Sequence, residues 1–195
     1  NEMAKASFDC SYGRHHTLEI ERLVMGQGVI SELPEMVKGL EAKKVYMLSD
    51  NNTYKAAGET AKKLLEDAGF QVKSVVLDSG EDILIPDEHA AGTMFLNLEP
   101  ETDVLIAVGS GTLNDMVKYM SARTKIPYIV VCTAPSMDGY ASDGAPLILG
   151  GKKISFIATL PYGILGDTDI MKQAPMHMIR AGFGDVLGKL RALAD

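Results

Sequence analysis

The chain has 195 residues, 46% hydrophobic and 23% charged. That suffices for one substantial core and fits one ordinary domain or slightly more. A formal charge of −7 argues against nucleic acid or an anionic membrane as partner, unless positive charge is locally concentrated. No run reaches the length of a membrane span, and the polar start "NEMAKASFDC" does not read as a signal peptide.

The two cysteines, Cys10 and Cys132, lie far apart and outside any C-x-x-C motif. They fit a reducing, cytoplasmic setting better than a disulfide framework. Cys132 ends an apolar run and reads as a buried small residue.

In chain order, "TLEIERLVMGQGVI" alternates and then turns at Gly26 and Gly28, as an edge strand does. Ser31 reads as the N-cap of a first helix. "KKVYMLSD" is a short buried strand. "NTYKAAGETAKKLLEDAGF" has apolar residues at helical spacing and stops at Gly69. "QVKSVVL" is a strand, and "PDEHAAGTMFLNL" a helix opened by Pro86. "DVLIAVG" scarcely alternates, so both its faces are buried. "TLNDMVKYMSARTK" is a helix and "PYIVVCT" the last clearly parallel strand. This alternation predicts an α/β fold, a Rossmann-like, doubly wound parallel sheet with flanking helices.

The rhythm then changes. "PLILGGKKISFIA" places two alternating runs around Gly150-Gly151, which signals a hairpin. "YGILGD" is a short strand. From Asp169 the pattern is helical, in "DIMKQAP" and "MHMIRAGFGDVLGKLRALAD". The last pattern carries no glycine cap, so a further helical region is expected to follow. Residues 1–168 therefore read as one α/β domain and 169–195 as the beginning of a helical one.

Three features carry chemistry. Gly109 and Gly111 stand where a central strand hands over to a helix. Glycine permits a sharp turn and close approach of a phosphate, and a helix N-terminus presents free N–H groups. Thr112 and Asp115 form a T-x-x-D capping pattern. The same glycines also fit a tight turn with no ligand. Asp50 ends its strand, where a carboxylate either takes a ribose hydroxyl pair or caps the next turn. The loop "TAPSMDGYASDG" is rich in small and polar residues, and it follows a parallel strand at the sheet edge where open α/β sheets bind ligands. Asp138 and Asp143 each precede glycine, so both also suit turns. Asp185 lies in "AGFGDVLGK" as either a first-turn charge or a metal ligand. His15, His16, His89 and His177 do not pair with it at ligand spacing.

Taken together, "GSGTLND", "TAPSMDGYAS" and "GDTDIMKQAPMHMIRAGFGDVLGK" resemble the glycerol-1-phosphate dehydrogenases, most closely the bacterial AraM type. These are relatives of glycerol dehydrogenase, iron-dependent alcohol dehydrogenase and dehydroquinate synthase. The resemblance covers nearly the whole chain. It implies NAD or NADP bound over Gly109, Gly111, Thr112, Leu113, Asn114 and Asp115, with Asp50 on the adenosine ribose. Thr133, Ala134, Pro135, Ser136 and Ser142 would line the cofactor. Asp138 would contact substrate, and Asp185 would act at the substrate as the first ligand of one divalent metal, zinc foremost, with nickel or iron as alternatives. The family's remaining metal ligands are histidines of a helical domain, and none of the four histidines here matches them. The implied reaction of the intact protein is reversible reduction of dihydroxyacetone phosphate to sn-glycerol 1-phosphate. A dehydrogenase of unphosphorylated polyols, or for this chain alone a non-catalytic dinucleotide-binding module, are the alternatives. The Asp50 carboxylate favours NAD, since it would repel a 2′-phosphate. The substrate partner is a small phosphorylated triose or polyol. The apolar stretches "APMHMIRAGFG" and "VLGKLRALA" predict a homo-oligomer by self-association.

Overall fold

The computed structural model describes residues 7–80 and 83–192. A small hairpin pairs β1 (Ser7–Asp9) with β2 (His15–Thr17). Then β3 (Arg22–Gly26) leads through a 3-10 turn, Val29–Glu32, into α1 (Leu33–Lys38). β4 (Lys44–Asp50) runs into α2 (Asn51–Thr53), a π turn (Tyr54–Gly58) and α3 (Glu59–Asp67). β5 (Gln71–Leu77), α4 (Glu88–Leu96), β6 (Val104–Gly109), α5 (Gly111–Thr124) and β7 (Tyr128–Cys132) continue the alternation. β8 (Gly144–Leu149) and β9 (Lys152–Ile157) form a hairpin before β10 (Gly163–Asp167), α6 (Thr168–Met171) and α7 (Met176–Ala192).

Six strands form one parallel sheet in the order β3-β10-β7-β6-β4-β5. β7 is therefore not its last parallel strand. The chain makes the β8–β9 hairpin and then inserts β10 between β7 and the edge strand β3. β10 is buried along its whole length, as a strand covered on both faces must be. The hairpin turn falls on Gly150 and Gly151, at φ 58° and 74°. A two-residue turn with both φ positive matches the twist of the flanking strands and needs glycine.

Alternate side chains of the sheet face opposite layers. Val45, Met47, Ile106, Val108, Ile129 and Leu165 pack with Leu33, Met36 and Val37 of α1 and with Ala61 and Leu65 of α3. Tyr46, Leu48, Leu105, Ala107, Val130 and Cys132 pack with Met94 of α4 and with Leu113, Met116 and Met120 of α5. The buried Tyr46 hydroxyl donates to the Met94 carbonyl at 2.7 Å, so the ring fills the core without an unpaired polar atom. The fold is the doubly wound α/β architecture that the alternation predicts.

The first helix departs from its expected cap. Ser31 sits inside the 3-10 turn, and its Oγ donates to the Gly28 carbonyl at 3.0 Å. Glu32 holds the N-cap position of α1 instead, without a side-chain bond. The cause lies 139 residues away in sequence. Asp167, 1% exposed at the end of β10, accepts from Gly28 N–H at 3.1 Å, Ile30 N–H at 3.0 Å and Asp169 N–H at 2.9 Å. One carboxylate thus orders the turn after β3 and caps α6. Gly28, at φ 67°, bends the chain onto it.

Asp167→Ala is expected to lower stability by roughly 2–4 kcal/mol, because three N–H groups lose their acceptor. Urea unfolding measures it; an unchanged midpoint would show that water replaces the carboxylate without cost. The two thiols differ as well. Burial pushes the Cys132 thiol up to about 12, whereas the His16 hydrogen bond lowers that of the accessible Cys10. A disulfide dye at mildly alkaline pH is expected to titrate one thiol in the native protein and both after unfolding. Fast reaction at Cys132 would mean that the core around α5 opens.

Candidate active site

Helix α3, after β4, lies on one face of the sheet, and helix α5, after the neighbouring β6, lies on the other. Connections leaving adjacent strands in opposite directions open a crevice at the carboxyl ends of those strands. A cleft of about 620 Å³ occurs there, lined by Asp50 and Thr53 after β4, Ser110, Thr112 and Leu113 after β6, and Thr133 and Ala134 after β7. Its outer walls are Ile83 and Leu84 on one side and Ile170, Gln173, His177 and Met178 on the other.

Asp50 does what a strand-end aspartate in a capping box does. Its Oδ1 accepts from Asn52 N–H at 2.9 Å and Thr53 N–H at 2.8 Å, and Thr53 Oγ1 accepts from Asp50 N–H at 2.9 Å. Both bonds fall on one carboxylate oxygen, and the residue still lines the cleft. Capping and a ligand contact are therefore compatible at this position.

At α5 the expected T-x-x-D cap does not form. Ser110 occupies the N-cap position with no side-chain bond to the helix, which puts Thr112 within the first turn. The first-turn N–H groups consequently have no intrahelical or side-chain cap partner and face the cleft wall formed by Ser110, Thr112 and Leu113. Gly109 is required for packing: a Cβ there would overlap the Leu113 side chain, which folds back over the strand end. Gly111 meets only Met137 at ordinary contact distance.

Asp115 pairs with Lys118 at 3.2 Å and does not complete a cap. Lys118 is wholly buried, and its ammonium also donates to Gly139 O at 3.2 Å, Ser142 Oγ at 3.0 Å and Gly144 O at 3.0 Å. Burial raises the Asp115 carboxyl above the usual carboxylate range, against the pull of Lys118. Helix α5 is thereby fastened to the loop that follows β7. The same loop is held at its start by Thr133 N–H donating to Gly109 O at 3.2 Å and by the Tyr140 hydroxyl donating to Ala134 O at 2.7 Å. Ser142 belongs to this internal network. Together with Asp143 it borders a separate hollow beside Thr17 and Glu19. Asn114 is also buried, with its amide unpaired, and is not among the residues that line the cleft.

Helix α7 rests on this loop through one close approach. A Cβ at Gly182 would overlap the Pro135 carbonyl oxygen, so only glycine lets the helix come this near. The helix passes unbroken through Gly182 and Gly184, and Asp185 stands mid-helix instead of in a first turn. Its Oδ2 accepts from Asp138 N–H at 2.9 Å. Lys189 Nζ lies 3.0 Å from Asp138 Oδ2. The Lys189 ammonium holds the Asp138 carboxyl below its ordinary range, and Asp138 raises Lys189 in turn. Asp138, Asp185 and Lys189 form one cluster. His177, at the start of α7, lies at the cleft wall instead.

The family model for iron-containing alcohol dehydrogenase matches residues 24–175. The chain belongs to that family. It is 38% identical over 193 residues to a protein of Halalkalibacterium halodurans named glycerol-1-phosphate dehydrogenase (NAD(P)+), covering 98% of this chain and 48% of the relative. It is 40% identical over 183 residues to the Bacillus licheniformis protein of the same name, covering 93% and 45%. The chain spans about half the length of the curated relatives it matches. Among solved structures, glycerol dehydrogenase from Schizosaccharomyces pombe superposes with a TM-score of 0.74 at 23% identity, over 86% of this chain and 42% of that one.

In this member of the iron-containing alcohol dehydrogenases, the cleft brings Asp50, Thr112, Leu113, Thr133 and Ala134 together. Asp115 and Ser142 face Lys118 instead, and the carbonyl of Pro135 faces Gly182. Sequence reasoning missed Ser110, Lys118 and Lys189. The spacing of Asp115 and Lys118, three residues apart on one helix, was the available signal for one of them. No helix among the described residues is long and apolar enough to cross a membrane.

Gly182→Ala is expected to push α7 off the loop and cost about 1–3 kcal/mol. Gly184→Ala, in open space, is the control and is expected to be neutral or slightly stabilising. Hydrogen exchange at the amides of residues 136–138 reads the difference. Equal protection in both variants would show that α7 does not dock through Gly182.

Proposed function

We propose that the intact protein is an NAD(P)-dependent glycerol-1-phosphate dehydrogenase, reducing dihydroxyacetone phosphate to sn-glycerol 1-phosphate and running in reverse. The observation that carries the reading is the cleft at the switch point, where one carboxylate, one open helix N-terminus and the Thr133–Ala134 edge converge. These are the parts a dinucleotide needs: a partner for ribose hydroxyls, donors for the pyrophosphate and a smooth wall for the rings. The names of the relatives supply the substrate.

In this reading Asp50 takes the adenosine ribose hydroxyls through the carboxylate oxygen not engaged in the cap. The first turn of α5 takes the pyrophosphate on Thr112 and Leu113. Thr133 and Ala134 direct the nicotinamide toward the Asp138–Asp185 cluster. Bound there, the nicotinamide would supply the hydride to the substrate carbonyl carbon, with a proton from solvent completing the alcohol. The residues for a metal are incomplete. Among the described residues no three His, Cys, Asp or Glu stand together. Asp185 is proposed as one ligand of a divalent ion, zinc, nickel or iron. A single carboxylate does not hold such an ion against water.

The test is a fluorescence titration with NADH and NADPH. NADH is expected to bind more tightly, and Asp50→Asn, which keeps a capping oxygen, is expected to reduce the NADH preference by about tenfold. Equal affinity for both cofactors before and after the change would remove Asp50 from the ribose site. In the full-length protein, oxidation of NADH by dihydroxyacetone phosphate with added zinc or nickel tests the reaction itself.

A further inference from the structure

A dehydrogenase of a phosphorylated triose needs something that an enzyme of free polyols does not: a cation for the ester phosphate. Asp138 and Asp185 place two carboxylates within one cluster, and carboxylates alone would repel a phosphate dianion. Lys152 and Lys153 follow the turn of the β8–β9 hairpin, and the charge of Lys153 acts on Asp115 of α5. Lys118 is enclosed, with its ammonium directed to four protein oxygens. Lys189 is different. It stands one helical turn beyond Asp185 on the same face of α7. Its ammonium reaches Asp138 at 3.0 Å, and its side chain is 61% exposed. A solvent-exposed cation is therefore already drawn to the carboxylates proposed to meet the reacting end of the substrate.

We propose that Lys189 is the phosphate-recognising residue, pairing with Asp138 in the free protein and with the ester phosphate of bound substrate. The inference rests on the glycerol-1-phosphate reading of this site. Its geometry is simple. The phosphorus stands only one carbon and one ester oxygen away from the carbonyl, and Asp185 and Lys189 stand about 6 Å apart along the axis at the helical rise per residue, a gap that the long lysine stem can shorten. Transfer of the ammonium from a carboxylate to a phosphate keeps a charge-assisted bond throughout, so little is lost in leaving Asp138. Lysine suits this task as a flexible point charge on a long stem. Specificity follows, because a free polyol leaves Lys189 on Asp138 and gains nothing from it.

The experiment compares the full-length protein with Lys189→Ala and Lys189→Arg. Two readouts are used: kcat/KM for dihydroxyacetone phosphate against dihydroxyacetone, and calorimetric affinity for sn-glycerol 1-phosphate against glycerol with NAD+ present. Lys189→Ala is expected to lower the phosphorylated-to-free ratio in both by about tenfold to a hundredfold, and Lys189→Arg to restore most of it. A parallel fall for phosphorylated and free ligands would overturn the proposal and leave Lys189 as a support of the loop. An unchanged ratio would overturn it too. If the wild-type protein turns over neither ketone, the functional reading fails first. Calorimetry then still decides the role of Lys189: a Lys189-dependent affinity for glycerol 1-phosphate sustains it, and no such affinity overturns it.

Discussion

A lysine ammonium taken out of water loses several kcal/mol of solvation, and it persists inside a protein only when oxygens surround it. Lys118 meets that condition with one carboxylate, one hydroxyl and two carbonyls. The carbonyls and hydroxyl belong to Gly139 and Ser142, in a loop with only a short 3-10 turn of its own, and to Gly144, where β8 begins. The buried ammonium thus stands in for regular secondary structure. It gives the loop after β7 a fixed relation to α5, and α5 takes its own position from the core beneath the sheet. Everything beyond the loop inherits that placement: Asp138 at its crest, then α7 resting on Pro135, then Asp185 and Lys189.

Two glycines carry the next steps by letting atoms approach that a methyl group would separate. Gly109 lets Leu113 fold over the end of β6, which brings the start of α5 close to the strand and its N–H groups to the crevice. Gly182 lets a helix seat itself on a bare carbonyl. Neither position has the positive φ that usually marks a required glycine. Their requirement is spatial, imposed by neighbours far off in the chain or a turn ahead.

This difference explains what was legible in the sequence. The strands and helices could be read because their signals are local: continuous apolar runs, 3.6-residue periodicity, Gly150-Gly151 between alternating segments. The crevice followed from topology alone, since strand-end loops of a doubly wound sheet meet there. The resemblance then placed Asp50, Thr112 and Thr133 together. What escaped depends on distant partners. Ser31 has the chemistry of an N-cap, yet Asp167 had already claimed the turn before it. Thr112 and Asp115 match a capping pattern by spacing, but Lys118 holds the aspartate. β10 reads as a short strand, and nothing local says that it enters between β7 and β3. Lys189 looks like one of many helix-surface lysines until Asp138 is seen beside it.

The net charge of −7 sharpens the meaning of these contacts. An acidic chain cannot draw in a dinucleotide or a phosphate ester by its overall field. Attraction has to come from groups close enough to escape screening, within the Debye length of about 8 Å at physiological salt. The open first turn of α5 is one such group, because its dipole acts over a few ångströms and leaves the net charge unchanged. A lysine at a carboxylate cluster is another. Both lie where the fold concentrates them, at the carboxyl edge of the sheet and on the helix that Gly182 brings against it. The anion binding proposed for this protein is accordingly a property of position, and position here traces back to the buried ammonium of Lys118.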